Sequence, residues 1–349
     1  MATPQLSPGV LVREVDLTVG RAENVLDNIG AIAGPFAIGP VDEATDISTE
    51  QDLINVFGEP KNNDAQYEYW MAASSYLSYG GVLKVVRTAG TNLANANAGT
   101  DEAAATMTGA GRIDNYDDYI QNHAEATDFT FAAKNPGSWA NNLKVCVIDD
   151  AADQTLTLAS IGAATVGMAV TSVLEAVEVP GVGSTSSFTG YLKSIITAVD
   201  TTTKVVDVKI VSRVATDGTE TAIDYAEGTA YASFQAADQV YVINNSGVKV
   251  GSVAAANTVV DWYDQQTLGL TNSTVYWKSI AGKPKTNKYS LDRNGKNDGI
   301  HVVVVDDLGD VTGIQGQILE KHTNLSKAGD AVSDVNSPQK IWYEQFLAD

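Results

Sequence analysis

The stretch "GAIAGPFAIGPVDEATDISTEQDLINVFGEP", residues 30–60, sets the architecture of the first part of this chain. Small apolar residues alternate with Gly and Pro up to about Val41, as in a buried strand that runs into a turn. A helix then starts. Ser48 or Thr49 is the N-cap, acids fill the first turn, and Leu53, Ile54, Val56 and Phe57 form an apolar stripe before Gly58 and Pro60 stop it. "AQYEYWMAASSYLSYGG" repeats the pattern, with Tyr69, Trp70, Ala73, Tyr76 and Leu77 on one stripe and Gly80 and Gly81 closing it. The strand "VLKVVR" follows at once. Residues 24–90 therefore read as strand, helix, helix, strand, a small α/β unit.

Outward from this unit, residues 91–110 are rich in Ala, Asn, Gly and Thr and read as a connector. "FTFAAKNPGSWANNLKVCVIDD" gives a strand, an Asn-Pro-Gly turn and a second strand, with Trp139 as an anchor just after the turn. Residues 151–258 hold short Val-, Thr- and Ile-rich strands between turns such as "PGVGSTSS" and "TDGTE", the pattern of an inserted all-β barrel or sandwich. Beyond it, the segment before Asn297 and "IHVVVVDD" after it read as a strand pair, with Asn297 to Gly299 as a tight hairpin turn and "IHVVVVDD" apolar enough for a central strand. "GQILEKHTNLSKA" fits either a strand or a helix. "KIWYEQFLAD" carries Trp342 and other large apolar residues that need a partner surface.

Composition narrows the function. The chain has 349 residues, 43 acids and 22 Lys plus Arg, for a net charge of −21. Such a charge keeps a protein soluble and repels nucleic acid and anionic lipid. No apolar run approaches the ~18 residues of a membrane span, and the first twenty residues lack a signal-peptide core, so a cytosolic product is expected. Three histidines, His123, His301 and His322, and one cysteine, Cys146, leave little material for a metal site, a triad or a disulfide.

Motifs for chemistry are weak. "AGKPKT" at 281–286 lacks the glycine spacing of a phosphate loop, and "PGVGST" at 180–185 has no helix after it. Asp292, Asn294, Asn297 and Asp298 lack the ligand spacing of a calcium loop. Asp306, Asp307 and Asp310 follow an apolar strand, where an enzyme could place carboxylates, but no histidine is near in sequence. Tyr67, Tyr69, Trp70, Tyr76 and Tyr79 read as helix packing rather than a ligand box. Neither a catalytic residue, a cofactor site nor a metal site is expected, and the chain reads as built to pack and assemble.

Five segments in order, "LSPGVLVREVD" at 6–16, residues 30–60, "AASSYLSYGGVLKVVR" at 72–87, "AAKNPGSWANNLKV" at 132–145 and residues 298–331, resemble the tail sheath proteins of contractile-tailed bacteriophages of the T-even and cyanophage type. Together they cover about 30% of the chain. The resemblance implies an α+β multidomain subunit that forms a homo-oligomeric helical sheath around a tail tube protein, meets baseplate and tail terminator proteins, and contracts to drive the tube through the host envelope. It implies a virion component assembled in the host bacterial cytoplasm, with neither nucleic-acid binding nor membrane insertion.

By position the resemblance gives an inter-subunit arm at 1–20 carried by Val10, Val12 and Val15, and an α/β domain at 21–90. A connector follows at 91–134. A β-rich, sandwich-like domain at 135–335 carries the all-β module 151–258, and residues 336–349 begin a further domain. From the residues themselves, Trp70, Trp139 and Trp342 are expected as packing anchors. Family members continue into a sheath core absent from these residues, so an N-terminal fragment is expected. The alternatives are a surface adhesin or S-layer-like β protein, and an enzyme with an acidic site at Asp306 and Asp307.

Overall fold

The computed structural model describes residues 29–60, 65–90, 92–98, 112–124, 129–172, 175–178, 187–215, 217–222, 233–250, 254–333 and 338–348. The chain divides between Asn141 and Asn142 into two compact units. It is a mixed α+β, strand-rich protein with few helices among the described residues.

In the first unit, β1 (Ile29–Gly34) and β3 (Val82–Arg87) pair in parallel, and β2 (Ala44–Ile47) adds to β3 antiparallel. The four-residue β2 is an element that the sequence reading passed over as a turn. Helices α1 (Glu50–Phe57) and α2 (Gln66–Leu77) make the crossover from β2 to β3. Thr49 starts α1 with a capping box, its side chain accepting from Asp52 N while Asp52 accepts from Thr49 N. Leu53, Phe57, Trp70, Ala73 and Leu77 pack with Phe36, Ile47, Leu83 and Val85 into one core. Tyr76 and Tyr69 lie over Gly30 and Gly34 of β1, where an added Cβ would come within 2.7 Å and 2.6 Å of their rings. Glycine there lets a helix bearing large aromatics approach the strand. Further along, two short strands, β4 (Asn97–Ala98) and β5 (Phe131–Ala132), pair with each other. The buried Asn95 amide ties Ile113 and Ala133 together, donating to both carbonyls and accepting from Ile113 N.

The second unit holds β6 (Leu143–Asp149), then a module of β7 (Gln154–Leu158), β8 (Ala169–Ser172), β9 (Glu175–Glu178), β10 (Ser187–Asp200), β11 (Val205–Ala215), β12 (Glu220–Ala222), β13 (Gln239–Ile243) and β14 (Ala254–Asp261). Six of these close a barrel in the order β11, β7, β14, β13, β8, β10 and back to β11, every pairing antiparallel. Leu156, Val170, Leu192, Ile196, Val206, Val208, Val240 and Phe234 fill its interior. A barrel of this size is a packed core rather than a pore. The hairpin of β10 and β11 outruns the barrel, and β9 and β12 pair with its far end.

The chain then returns to β15 (Gly299–Asp306) and β16 (Gln317–Ser326), which form a three-stranded antiparallel sheet with β6 in the order β16, β15, β6. The apolar run at 300–305 is the central strand. Two expectations are corrected here. The segment before Asn297 is a helical turn, Lys288–Leu291, not a strand, because Gly295 N and Arg293 N return to the Ser290 carbonyl and close the turn on itself. The host of the barrel is not a sandwich: its one sheet packs Cys146, Ile148, Val303 and Val305 against Trp262, Tyr263, Leu268 and Trp277 of the strand-poor segment that follows β14. The segment at 317–326, left open between strand and helix, is an edge strand.

Candidate functional site

The groups that sequence reading offered as chemistry are used up in structure. Asp306 is fully buried, and its carboxylate accepts from Gly309 N and Asp310 N at 3.0 Å each, Val311 N at 3.0 Å and Thr312 N at 2.7 Å. Burial alone would raise its pKa, yet these bonds outweigh it and hold the carboxyl below its ordinary value. A carboxylate so saturated organises the loop 307–316. Asp307 binds Thr271, and Asp310 binds Asn142. The three acids thus serve three separate contacts.

Asp292 pairs with Lys288 at 2.7 Å on the surface, while buried Asp298 accepts from Ser326 Oγ at 2.8 Å and Lys327 N at 3.0 Å. They share no ligand geometry, and no described group of three His, Cys, Asp or Glu residues could hold a metal ion. His301 is fully buried, with Asn324 N donating to Nδ1 at 2.9 Å, which leaves Nε2 to donate to the Gly282 carbonyl at 2.8 Å. His123 lies 3.9 Å from Asp118, and His322 lies 3.1 Å from Glu320 with its ring edge-on to Phe346. Cys146 is buried with its thiol on the Leu268 carbonyl, and burial pushes it up to about 11.

Three segments singled out by resemblance meet at one residue that sequence reading missed. Arg87, at the end of "VLKVVR", is 1% exposed. Its Nε donates to the Phe36 carbonyl at 2.6 Å, Nη1 to Gly39 at 2.7 Å, and Nη2 to Ala37 at 2.9 Å and Pro136 at 2.8 Å. The acceptors come from residues 30–60 and from "AAKNPGSW". Desolvation, then repulsion from Arg112, pulls the guanidinium down to about 10, so it is a cation at neutral pH. Only a planar group with several fixed donors can hold four carbonyls at once. Gly137, at φ +140°, passes beside it, where a Cβ would come 3.2 Å from Nη2. A lone arginine closing an apolar strand was the only signal in the sequence.

A second polar centre was also missed. Lys209 on β11 and Lys283 each lie within 3.1 Å of both Asp150 and Asp153, where the chain enters the barrel. Burial alone would lower the Lys283 pKa, but the two carboxylates outweigh it and raise it. Asp153 also accepts from Ile210 N at 2.8 Å, so the cluster fastens the barrel to the sheet that carries it.

The surface leaves edges and faces open. Among the described residues no strand pairs with the outer edges of β1 and β6, and β16 is bridged only at Ser326, to Trp342. The face of the first sheet away from the helices exposes Ile29, Ala31, Ala33, Val82 and the Lys84–Asp46 ion pair. Trp70 is buried in the first core and donates to the Gly58 carbonyl at 2.9 Å. Trp139 is half-buried on the turn Ser138–Ala140, and half-buried Trp342 lies over Gly329. Val10, Val12 and Val15 lie outside the described residues.

No protein-family model matches the chain. Over 82 residues it is 37% identical to the tail sheath protein of Enterobacteria phage T4, and over 84 residues 37% identical to that of Vibrio phage KVP40. Each match covers 24% of this chain and 12% of the relative. The similarity found by comparison therefore covers somewhat less of the chain than the five segments together. No described helix is long and apolar enough to cross a membrane.

Proposed function

We propose that this chain is part of the sheath of a contractile phage tail, polymerising helically around the tail tube and contracting to drive the tube through the host envelope for genome ejection. The observation that carries this reading is the 37% identity to two tail sheath proteins. The use of every candidate catalytic group as a structural contact supports it. In this reading residues 1–20, a mixed apolar and charged run, are an arm that adds as a strand to a neighbouring subunit through Val10, Val12 and Val15. Residues 21–90 are the α/β domain, 91–134 a connector, 135–335 the β-rich domain and 336–349 the start of another; the module at 151–258 lies on the outer surface. The tube, the baseplate and the tail terminator are the other partners, and assembly takes place in the host cytoplasm.

The mechanism follows from backbone geometry. A donated strand is held by main-chain hydrogen bonds, so a subunit can rotate as a body while its flexible link keeps the joint intact. The work comes from a metastable extended state, and no nucleotide is spent.

An antibody against the chain should label phage tails along their whole length between head and baseplate, and the label should shorten with the sheath on contraction. Label on the head, the fibres or no particle would refute the reading. Deleting residues 1–20 should abolish sheath formation while circular dichroism of the subunit stays unchanged; intact sheaths would refute the role of the arm.

A further inference from the structure

Positive charge in this acidic chain is concentrated in one place. Residues 278–296 hold six of its 22 Lys and Arg residues and one acid. Most of these cations ride on one compact excursion. It leaves the sheet unit at Lys285 and returns at Gly299, where an added Cβ would sit 2.2 Å from the Lys285 carbonyl oxygen, so its two ends touch.

The base of the excursion is locked. Asp298 accepts from Ser326 Oγ, Lys327 N, Ala328 N and Asn287 Nδ2, and Tyr289 Oη donates to Asp330 at 2.7 Å. Lys285 at the base and Lys288, Arg293 and Lys296 beyond it are all exposed. Lys288 keeps 83% of its side chain in solvent even while paired with Asp292, and Arg293 stacks 3.6 Å from the Tyr289 ring centroid. Lys285 and Lys296 form no ion pair among the described residues. The result is a rigid basic knob on a protein of net charge −21.

Copies of so acidic a chain repel one another unless opposite charge is presented locally. The matching surface is on the first unit. Residues 42–68 hold eight acids against one lysine, and Asp42, Glu43, Asp46, Glu50, Glu59 and Glu68 are exposed. We infer that the knob at 285–299 of one copy docks on the acidic surface that Asp42, Glu43, Asp46, Glu50, Glu59 and Glu68 present on a second copy, a head-to-tail contact. Such a heterologous contact joins unlike patches and propagates into open helical arrays instead of closing as a dimer. The inference rests on the self-assembly reading above and names one of its contacts. Exposed charge pairs set register and speed of encounter more than they hold, so the contact can be remade when subunits turn.

The test is sedimentation velocity on the whole chain at about 0.01 M and about 1 M ionic strength, where charges are screened beyond about 30 Å and about 3 Å respectively. Association is expected at the lower salt and not at the higher. K285E/K288E/K296E should weaken it at least about tenfold, with an unchanged melting temperature because these side chains face solvent. Mixing that variant with E43K/E59K/E68K should restore association, since the reversed charges again match. A triple variant that associates like the parent, or a mixture without rescue, overturns the contact and leaves self-assembly to another surface. No association at either salt overturns the contact and leaves the sheath reading to the tail-labelling experiment. Capture of random duplex DNA by the parent at the lower salt, lost in the triple variant, would assign the knob to phosphate and overturn it too.

Discussion

Replacing Arg87 with lysine keeps the charge but not the fork. The guanidinium reaches four carbonyls, those of Phe36, Ala37, Gly39 and Pro136, at 2.6–2.9 Å. One ammonium has three donors on a single nitrogen, and acceptors spread around a plane leave it two at best. Two charge-assisted bonds are lost, each worth about 1.5–3 kcal/mol, and the freed carbonyls stay buried. The expected loss is about 3–6 kcal/mol, which raises local opening by about 10²–10⁴-fold. Hydrogen exchange read by mass spectrometry resolves it. Peptides from 36–41, 82–90 and 136–141 should exchange faster by that factor, while barrel peptides from 154–158 and 205–215 keep their rates. A change below about fivefold in the first set would show that the four carbonyls do not depend on the guanidinium. An equal change in the barrel would show that the residue acts on global stability rather than on this junction.

Other consequences follow from the second unit. The Asp306 and Asp298 carboxyls are held below their ordinary value, so their stabilisation is fully present above the unfolded pKa of about 3.9 and is lost as pH falls through the lower folded value. An acid titration followed by tryptophan fluorescence should show that loss, and D306N should flatten it while lowering stability at pH 7 by about 2–4 kcal/mol, because its amide cannot accept every one of the converging N–H groups. K209M should destabilise the unit by about 3–5 kcal/mol in urea melts, since Lys283 is left facing Asp150 and Asp153 alone. A loss under about 1 kcal/mol would mean that the cluster does not fasten the barrel.

Local pattern carried much of the architecture. The cap at Thr49, the stop at Gly58, the stripe of Trp70, Ala73 and Leu77 and the central strand at 300–305 are set by short-range propensity and periodicity, and they are where the residues themselves put them. The turn-rich texture of 151–258 announced a β module, although spacing alone left barrel and sandwich open. The helical turn at Lys288–Leu291 was misread as a strand because its stability lies in bonds from Arg293 and Gly295 back to Ser290, a closure that no alternation of apolar and polar residues reports.

What the sequence determined by itself was composition and local pattern: an acidic chain, poor in histidine and cysteine, without a catalytic signature, with segments that resemble tail sheath proteins. What only the tertiary structure decided was which polar residues matter. Asp306 looked like a candidate acid and is a loop organiser, whereas Arg87 looked like one more strand residue and holds three distant segments. The physical reason is that a buried charge is defined by the partners that satisfy it, and those partners lie about 50 residues from Arg87 and about 130 residues from Asp153. Closure of the barrel is of the same kind, because β7 must pair with the distant β14, Leu156 standing opposite Val259.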